Sequence, residues 1–455
     1  MRLLWIALFA ISVSAANKQT KAPTFSKDIA PIVFRHCGEC HRPGEGAPFS
    51  VLTYKEVRPW AKAIRQRVLD RTMPPWHADP AHGQFKNDRR MPQADIDAIV
   101  AWVDSAALEG NPKDLPPAPR FVEGWSIGQP DAVFALPKPY TVAASGPDEY
   151  QYFEVPTNFS EDKWVSAIEA RPGNRKVVHH VVVWISPPPA PESPNLTPGE
   201  LVALRVKRNS ESIRYIDGFL RRTKADAPVH NDGCALPNGG GGSRLDTSRR
   251  DASPIYLTEW APGRNPDVFQ PGTAKKIPAG SKLTFQVHYN KTAGSVQTDQ
   301  SSIGFVFAKE PPKELVTTEL VFNGYMQIPA QADRHRATAC WTIDRDMRIT
   351  TIMPHMHVRG IAARIEAVYP DGRKETLLNV PRYNFAWQTG YRLSQPLHLP
   401  KGTTLHTTGW FDNSANNPYN PDPTKAIRWG DPTYDEMLAF FIDYTEPVKL
   451  DLAAR

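Results

Sequence analysis

Apolar and polar positions change rhythm several times along this chain. Met1 and Arg2 are followed by an almost unbroken apolar run over residues 3–13, then by the small residues Ser14, Ala15 and Ala16. A basic start, a short apolar stretch and small residues before Asn17 predict a secretory signal peptide over residues 1–16 and a periplasmic or secreted address. The run is short for a bilayer span, and no later run is long enough to make one. Over residues 25–34 and 95–103 the apolar positions recur at helical spacing, with Pro92 near the start of the second segment. Two short amphipathic helices are predicted there. Beyond Gly146 the pattern turns to short strand-like runs at 150–155, 164–168, 177–185, 282–289 and 303–307. A second set of strands follows Glu310-Pro311-Pro312. It includes the stretch from Ile352 to Val358 and ends with Trp410-Phe411-Asp412-Asn413-Ser414 and Thr433-Tyr434-Asp435-Glu436-Met437.

At 455 residues the chain is too long for one compact core and predicts two to four domains. Its 45 prolines, spread among short apolar runs, favour β-sandwiches joined by loops. The expected organisation is a small all-α domain at 23–112, a Pro-rich linker at 113–145, and two all-β sandwich domains at 146–310 and 311–450. The linker is marked by Leu115-Pro116-Pro117-Ala118-Pro119, and Gly239-Gly240-Gly241-Gly242 predicts a flexible surface excursion. A net charge of +6, with no basic stripe interleaved with aromatics, argues against nucleic acid as a partner.

Cys37-Gly38-Glu39-Cys40-His41 is the C-x-x-C-H pattern of covalent heme c attachment. Two thiols about one helical turn apart reach the two heme vinyl groups, and the next histidine sits under the iron. No second C-x-x-C completes a zinc site. With the closing helix at 95–103, residues 23–112 resemble a class I cytochrome c domain. The resemblance implies a methionine as sixth ligand. Met73 and Met91 both qualify, and Met73 is preferred because Met91 lies almost on the helix start. His77 and His82 are reserve candidates.

His355-Met356-His357 places two imidazoles two residues apart, hence on one face of a predicted strand, where they form a bidentate metal grip. His179-His180 is harder to read, because neighbours on an ideal strand point to opposite faces unless the strand bulges. Val178-His179-His180, Gln286-Val287-His288-Tyr289, His355-Met356-His357 and Asp435-Glu436-Met437 follow one another in this order. That order resembles the copper type II, ascorbate-dependent monooxygenases, the family of peptidylglycine α-hydroxylating monooxygenase and dopamine β-monooxygenase. The likeness spans residues 150–445 and implies two jelly-roll-like sandwiches holding two copper ions. It implies that His179, His180 and His288 hold an electron-transferring copper, with Gln286 supporting the electron route. It further implies that His355, His357 and Met437 hold the copper that binds dioxygen. The ligand types agree: imidazole suits both copper states, and a thioether favours Cu(I).

The chain departs from that family where its peptide-hydroxylating members hold the substrate carboxylate. An arginine, an asparagine and a tyrosine are replaced here by Met353, Ala439 and Phe441. A C-terminal glycine peptide is therefore not expected as substrate, and a small, more apolar molecule is. Cys234 and Cys340 can pair in an oxidising compartment, but the family partner of Cys340 lies after the methionine motif, where this chain has no cysteine. Their pairing stays open. His230, His335, His398 and His406 are left without a chemical role. The expected function is C–H hydroxylation with dioxygen. Electrons would come from an ascorbate-like reductant or a periplasmic cytochrome and enter through the heme domain. The alternative is an electron-transfer or copper-binding protein that does not oxygenate.

Overall fold

The structure is a computed structural model and describes residues 22–188, 228–236, 255–291, 293–430 and 432–448. The predicted signal peptide and the Gly239–Gly242 loop lie outside these residues. The chain divides into a small helical unit and a large β unit. Among the described residues no helix is long and apolar enough to cross a membrane.

Among the described residues the helical unit comprises 22–43, 47–73 and 91–119. A π-turn at Phe25–Ile29 runs into the helix Ala30–His36, as the apolar spacing predicts. The closing helix is Gln93–Asp104, and it buries Ile96, Ile99 and Trp102 at three-residue spacing. These pack on Phe25, Ile29 and Val33, and Trp102 Nε1 donates to the Leu108 carbonyl at 2.9 Å. Thr53 caps a short helix at Tyr54–Val57 by accepting from the Glu56 backbone N–H.

Residues 74–90 depart from the reading of 23–112 as one continuous domain, because they belong to the β unit. Trp76 meets Tyr391 edge-on at 5.0 Å, and Phe85 bridges to Leu393. The Lys86 N–H donates to the Arg392 carbonyl at 2.8 Å, and the Asp79 N–H donates to the Asn379 carbonyl at 2.8 Å. His77 and His82 belong to this segment and so to the β unit. The expected linker also shortens: the strands Ala132–Ala135 and Tyr140–Val142 lie inside it and join β-sheets.

Among the described residues the β unit contains one nine-stranded sheet, two four-stranded sheets and two small two-stranded ones. In order, the long sheet contains Ala132–Ala135, Ser302–Phe307, Lys163–Arg171, Thr273–Ile277, Glu314–Phe322, Ala439–Pro447, Met347–His355 and Tyr391–Leu399, with Asp267–Val268 pairing off this path to Lys163–Arg171. The short parallel pairing Glu314↔Thr273 and Leu315↔Ala274 joins its halves. The two predicted sandwiches therefore share a sheet and do not stand as separate bodies. One four-stranded sheet orders Glu149–Pro156, Lys282–Tyr289, Val178–Ser186 and Ile255–Trp260. The other orders His335–Thr342, Thr404–Phe411, Gly360–Val368 and Lys374–Val380.

Strand alternation decides what each face does. On Val178–Ser186, Val181, Val183 and Ile185 enter the first core with Phe285 and Phe305, each buried aromatic contributing about 1.5–3 kcal/mol. His180, Val182 and Trp184 take the opposite face. On Lys282–Tyr289, Leu283, Phe285, Val287 and Tyr289 go to that core, leaving Gln286 and His288 on the other side. The second core gathers Ile349, Ile352, Ile365, Phe411, Phe440 and Ile442.

Cys234 and Cys340 are bonded, with Cα atoms 4.9 Å apart, which settles the open pairing. The bridge pins the segment 228–236 to the strand His335–Thr342, alongside a hydrogen bond from the Thr338 hydroxyl to Asp232 at 2.7 Å. It spans 106 residues of sequence, so it strongly restricts the unfolded chain. Cys340→Ser is expected to lower the unfolding free energy by about 2–4 kcal/mol in chemical denaturation, and added reductant should bring the unmodified protein to the same midpoint.

Candidate metal centres

His179, His180 and His288 come together through a bulge. The register passes from Val178↔Tyr289 directly to His180↔His288, so His179 is the extra residue of its strand. This turns two sequence neighbours toward one point and removes the difficulty posed by ideal alternation. His179 Nδ1 lies 3.3 Å from His180 Nδ1, and His288 Nδ1 lies 3.4 Å from the same atom. Nitrogen ligands roughly 2 Å from a shared metal in tetrahedral geometry stand about 3.3 Å apart, so the spacing fits a metal held by Nδ1 atoms. The far side of His288 is fixed: its Nε2 pairs with Asp148 at 2.9 Å, and Tyr150 stacks on the ring at 4.3 Å. A carboxylate on Nε2 sets the tautomer that leaves Nδ1 its lone pair. That hydrogen bond in turn holds the Asp148 carboxyl below its usual range. Burial, reinforced by the neighbouring rings, lowers His179 to about 4 and takes His180 well below the ordinary imidazole value. Both rings are therefore neutral ligands at neutral pH.

The second pair is assembled differently from the sequence expectation. The strand Met347–His355 ends at its first histidine, and Met356 and His357 already lie off the sheet. The imidazoles still meet, with ring centroids 5.3 Å apart and planes at 84°. His355 Nδ1 donates to Gln388 Oε1 at 2.7 Å, and His357 Nδ1 donates to the Asp435 carbonyl at 3.3 Å. Each ring is thus left with Nε2 as its free lone pair. Burial lowers both rings, His357 the more strongly.

Met437 is buried and lines the same cavity as His355 and His357. It sits in an irregular stretch between the bridge residue Glu436 and the strand Ala439–Pro447, where a strand end was expected. Glu436 holds these parts together. Its carboxylate accepts from the backbone N–H groups of His357, of Arg359 at 2.9 Å and of Met437 at 3.0 Å. Burial pushes this carboxyl up to about 8, against the pull of the three N–H donors and Arg359. Gly409 permits the close approach beneath: a Cβ there would stand 2.7 Å from Leu438 and 3.1 Å from Met356 Sδ.

One small cavity touches residues of both clusters. His180 lines it from the first sandwich, and His355, His357 and Met437 line it from the second. Val182, Trp184, Leu320, Trp429 and Phe441 give it apolar walls, and Glu259, Gln286 and Gln388 are its polar points. Gln286 Nε2 donates to the Tyr152 hydroxyl at 2.7 Å. Phe385 links the clusters, stacking on His179 at 5.0 Å and meeting His357 edge-on at 5.8 Å. Arg264, from the first sandwich, brings Nη1 to 3.3 Å from Met353 Sδ. A guanidinium therefore does stand beside a position where the family clamp was lost. It is already matched by Glu259 at 3.0 Å and Asp267 at 3.2 Å, so it is no open anion site.

In the helical unit, Cys37 closes the helix Ala30–His36, and the Cys40 and His41 N–H groups fold back on its carbonyl. Neither thiol is in a disulfide, and both are half-buried. Burial, with Cys40 beside it, pushes Cys37 up to about 12. His41 Nδ1 donates to the Phe49 carbonyl at 3.1 Å, leaving Nε2 for an iron. Met91 is packed in the core with Phe25, Ile29 and Trp102, whereas Met73 is half-buried outside that cluster. Of the two sixth-ligand candidates, Met91 is thus occupied in packing.

Sequence reading did not find Asp148, Phe385, Gln388, Arg264 or the tie made by Glu436. Only Glu436 carried a signal, as the buried acid next to a candidate ligand. No protein-family model matches the chain, and no curated protein matches it in sequence. Among solved structures the chain is similar to the major capsid protein P2 of bacteriophage PM2, at 11% identity and a TM-score of 0.25, covering 70% of this chain and 98% of that one. A likeness that loose bears on neither fold nor function.

Proposed function

We propose that this chain is an exported heme- and copper-dependent monooxygenase that hydroxylates a C–H bond of a small, largely apolar molecule. In this reading the helical unit is a class I cytochrome c domain with heme c bonded to Cys37 and Cys40 and ligated by His41 and Met73. The β unit then corresponds to two jelly-roll-like copper domains joined along a sheet. The overall change is C–H plus dioxygen, two electrons and two protons, giving C–OH and water. Copper held by His179, His180 and His288 would supply stored electrons, copper held by His355, His357 and Met437 would supply dioxygen activation, and heme would supply single-electron relay.

The protein's own part is to bind, orient and keep dry. Asp148, Gln388 and the Asp435 carbonyl fix which nitrogen each ring presents. Three protein ligands at each centre leave a position open, as a reactive metal requires. Trp184, Trp429 and Phe441 hold an apolar body beside His355 and His357 and exclude bulk water. The observation that carries this reading is that His180, one member of a three-imidazole cluster, lines the same cavity as His355, His357 and Met437.

Purified protein is expected to contain two coppers and one iron per chain. When reduced and given ¹⁸O-labelled dioxygen with a panel of alkylbenzenes and aromatic alcohols, it should place one labelled atom in an organic product. Reoxidation without label in any product would instead favour the electron-transfer reading.

A further inference from the structure

One histidine that the copper centres leave idle stands against the disulfide. The registers of the second four-stranded sheet pair Cys340 on His335–Thr342 with His406 on Thr404–Phe411, and His406 in turn with Glu366 on Gly360–Val368. Directly opposed residues share a face, with Cβ atoms about 5 Å apart. That face is the outer one, because Ala339, Trp341, Leu405 and Ile365 carry the alternate positions into the core. Cys234 arrives on the segment 228–236, so that both sulfurs and a ring nitrogen of His406 lie within 4.8 Å of one another. All three residues are half-buried, and His406 Nδ1 is screened from water with no other residue partnering it. A screened nitrogen left unmatched is where a bound ion is expected.

Two thiolates and an imidazole form a donor set that suits Zn(II) and Cu(I). Burial lowers His406 from its ordinary value, Arg336 adding to the effect, so the ring is neutral and able to donate at neutral pH. Glu366 and Asp232 act on the same ring and supply negative charge for a cation. No cavity has to exist beforehand. Once the S–S bond opens, an ion about 2.3 Å from each sulfur needs the two only about 3.8 Å apart, and it sits where the bond was. We propose that this bridge is a redox-gated metal site. A dithiol reductant gives two electrons and two protons to the disulfide and becomes a disulfide itself. Cys234, Cys340 and His406 then bind one thiophilic ion and release the two thiol protons. The ion ties the segment 228–236 to its strand in place of the covalent bond. None of these residues lines the cavity, so the site stands independently of the oxygenase reading.

The test counts Zn(II) held by the full-length, copper-free protein after equilibrium dialysis, with and without a phosphine reductant. The reduced form is expected to hold one more zinc per chain than the disulfide form. That zinc should also restore most of the denaturation midpoint lost on reduction, because it binds the folded chain. In Cys340→Ser the extra equivalent should vanish; its persistence would assign it to Cys37 and Cys40 and overturn the proposal. His406→Gln keeps the disulfide, so its oxidised midpoint should match wild type. Its reduced form should bind the extra zinc more than about 100-fold less tightly. Unchanged affinity in that variant would remove histidine from the site and overturn the three-ligand assignment. Equal zinc in reduced and oxidised wild type would make the bridge a structural link only.

Discussion

Met437→Leu abolishes hydroxylation while leaving the heme absorption spectrum and the heme content unchanged: this is the expected result if the thioether is a ligand. Loss of an outer-shell partner typically costs about 10–100-fold, so loss of a ligating atom should exceed about 100-fold. The competing view is that Met437 is packing, and its surroundings give that view substance, since it is buried with Leu320, Phe322, Trp429 and Ala439. Leucine separates the two. A volume-conserving swap in a core costs under about 1.5 kcal/mol, so Met437→Leu keeps the fold and removes only the sulfur. Met437→Ala adds a cavity worth about 2–5 kcal/mol and should lose activity and stability together. X-ray absorption on the reduced, copper-loaded protein should show sulfur scattering that vanishes in the leucine variant. Full turnover by that variant would make Met437 core filler.

The strands were legible because burial imposes alternation. The runs predicted at 150–155, 164–168, 177–185, 282–289 and 303–307 match Glu149–Pro156, Lys163–Arg171, Val178–Ser186, Lys282–Tyr289 and Ser302–Phe307 to within a few residues at each end. Where one face must be apolar, the pattern can hardly say anything else. The clustering histidines at 179, 180 and 288 stood out by type, though strand position alone did not separate them from His335, His398 and His406. Irregularity was not legible. The bulge at His179 depends on which residue of the neighbouring strand each histidine meets, a long-range pairing that local pattern does not encode. The exit of the chain from the sheet after His355 is likewise fixed by a distant acid, Glu436, that accepts the N–H groups beyond it. Residues 74–90 read as part of the helical unit because they sit between its helices in sequence, yet their aromatic pair Trp76 and Phe85 finds Tyr391.

The groups that orient the imidazoles were invisible for a further reason. Gln388 and Phe385 sit in a segment with no periodicity, Gln388 far along the chain from His355 and Phe385 farther still from His179, and Asp148 lies 140 residues from His288. Their types carry no signal alone. Met353 was read as a position where an arginine is replaced, and linear comparison could not show Arg264 arriving from a distant loop to stand beside it.

Glu436→Ala should be among the most damaging single changes in the β unit, costing about 3–5 kcal/mol of unfolding free energy. The carboxylate is completely buried and is the acceptor for three backbone N–H groups, those of His357, Arg359 and Met437. Alanine leaves these donors with neither protein nor ready access to water, at about 1–3 kcal/mol for each that stays unsatisfied. It also removes an oxygen acceptor group beside Arg359, a residue 1% exposed whose side chain is hydrogen-bonded to Asn413 and the Tyr434 carbonyl. Glu436→Gln keeps one oxygen in place and should lose roughly half as much. Denaturant titration measures both, and copper content separates the consequences. Because the same carboxylate fixes the backbone on either side of the second centre, the glutamine variant should remain folded yet retain copper only at His179, His180 and His288. Equal copper in wild type and Glu436→Gln would mean that His357 and Met437 are held in place by their strands alone.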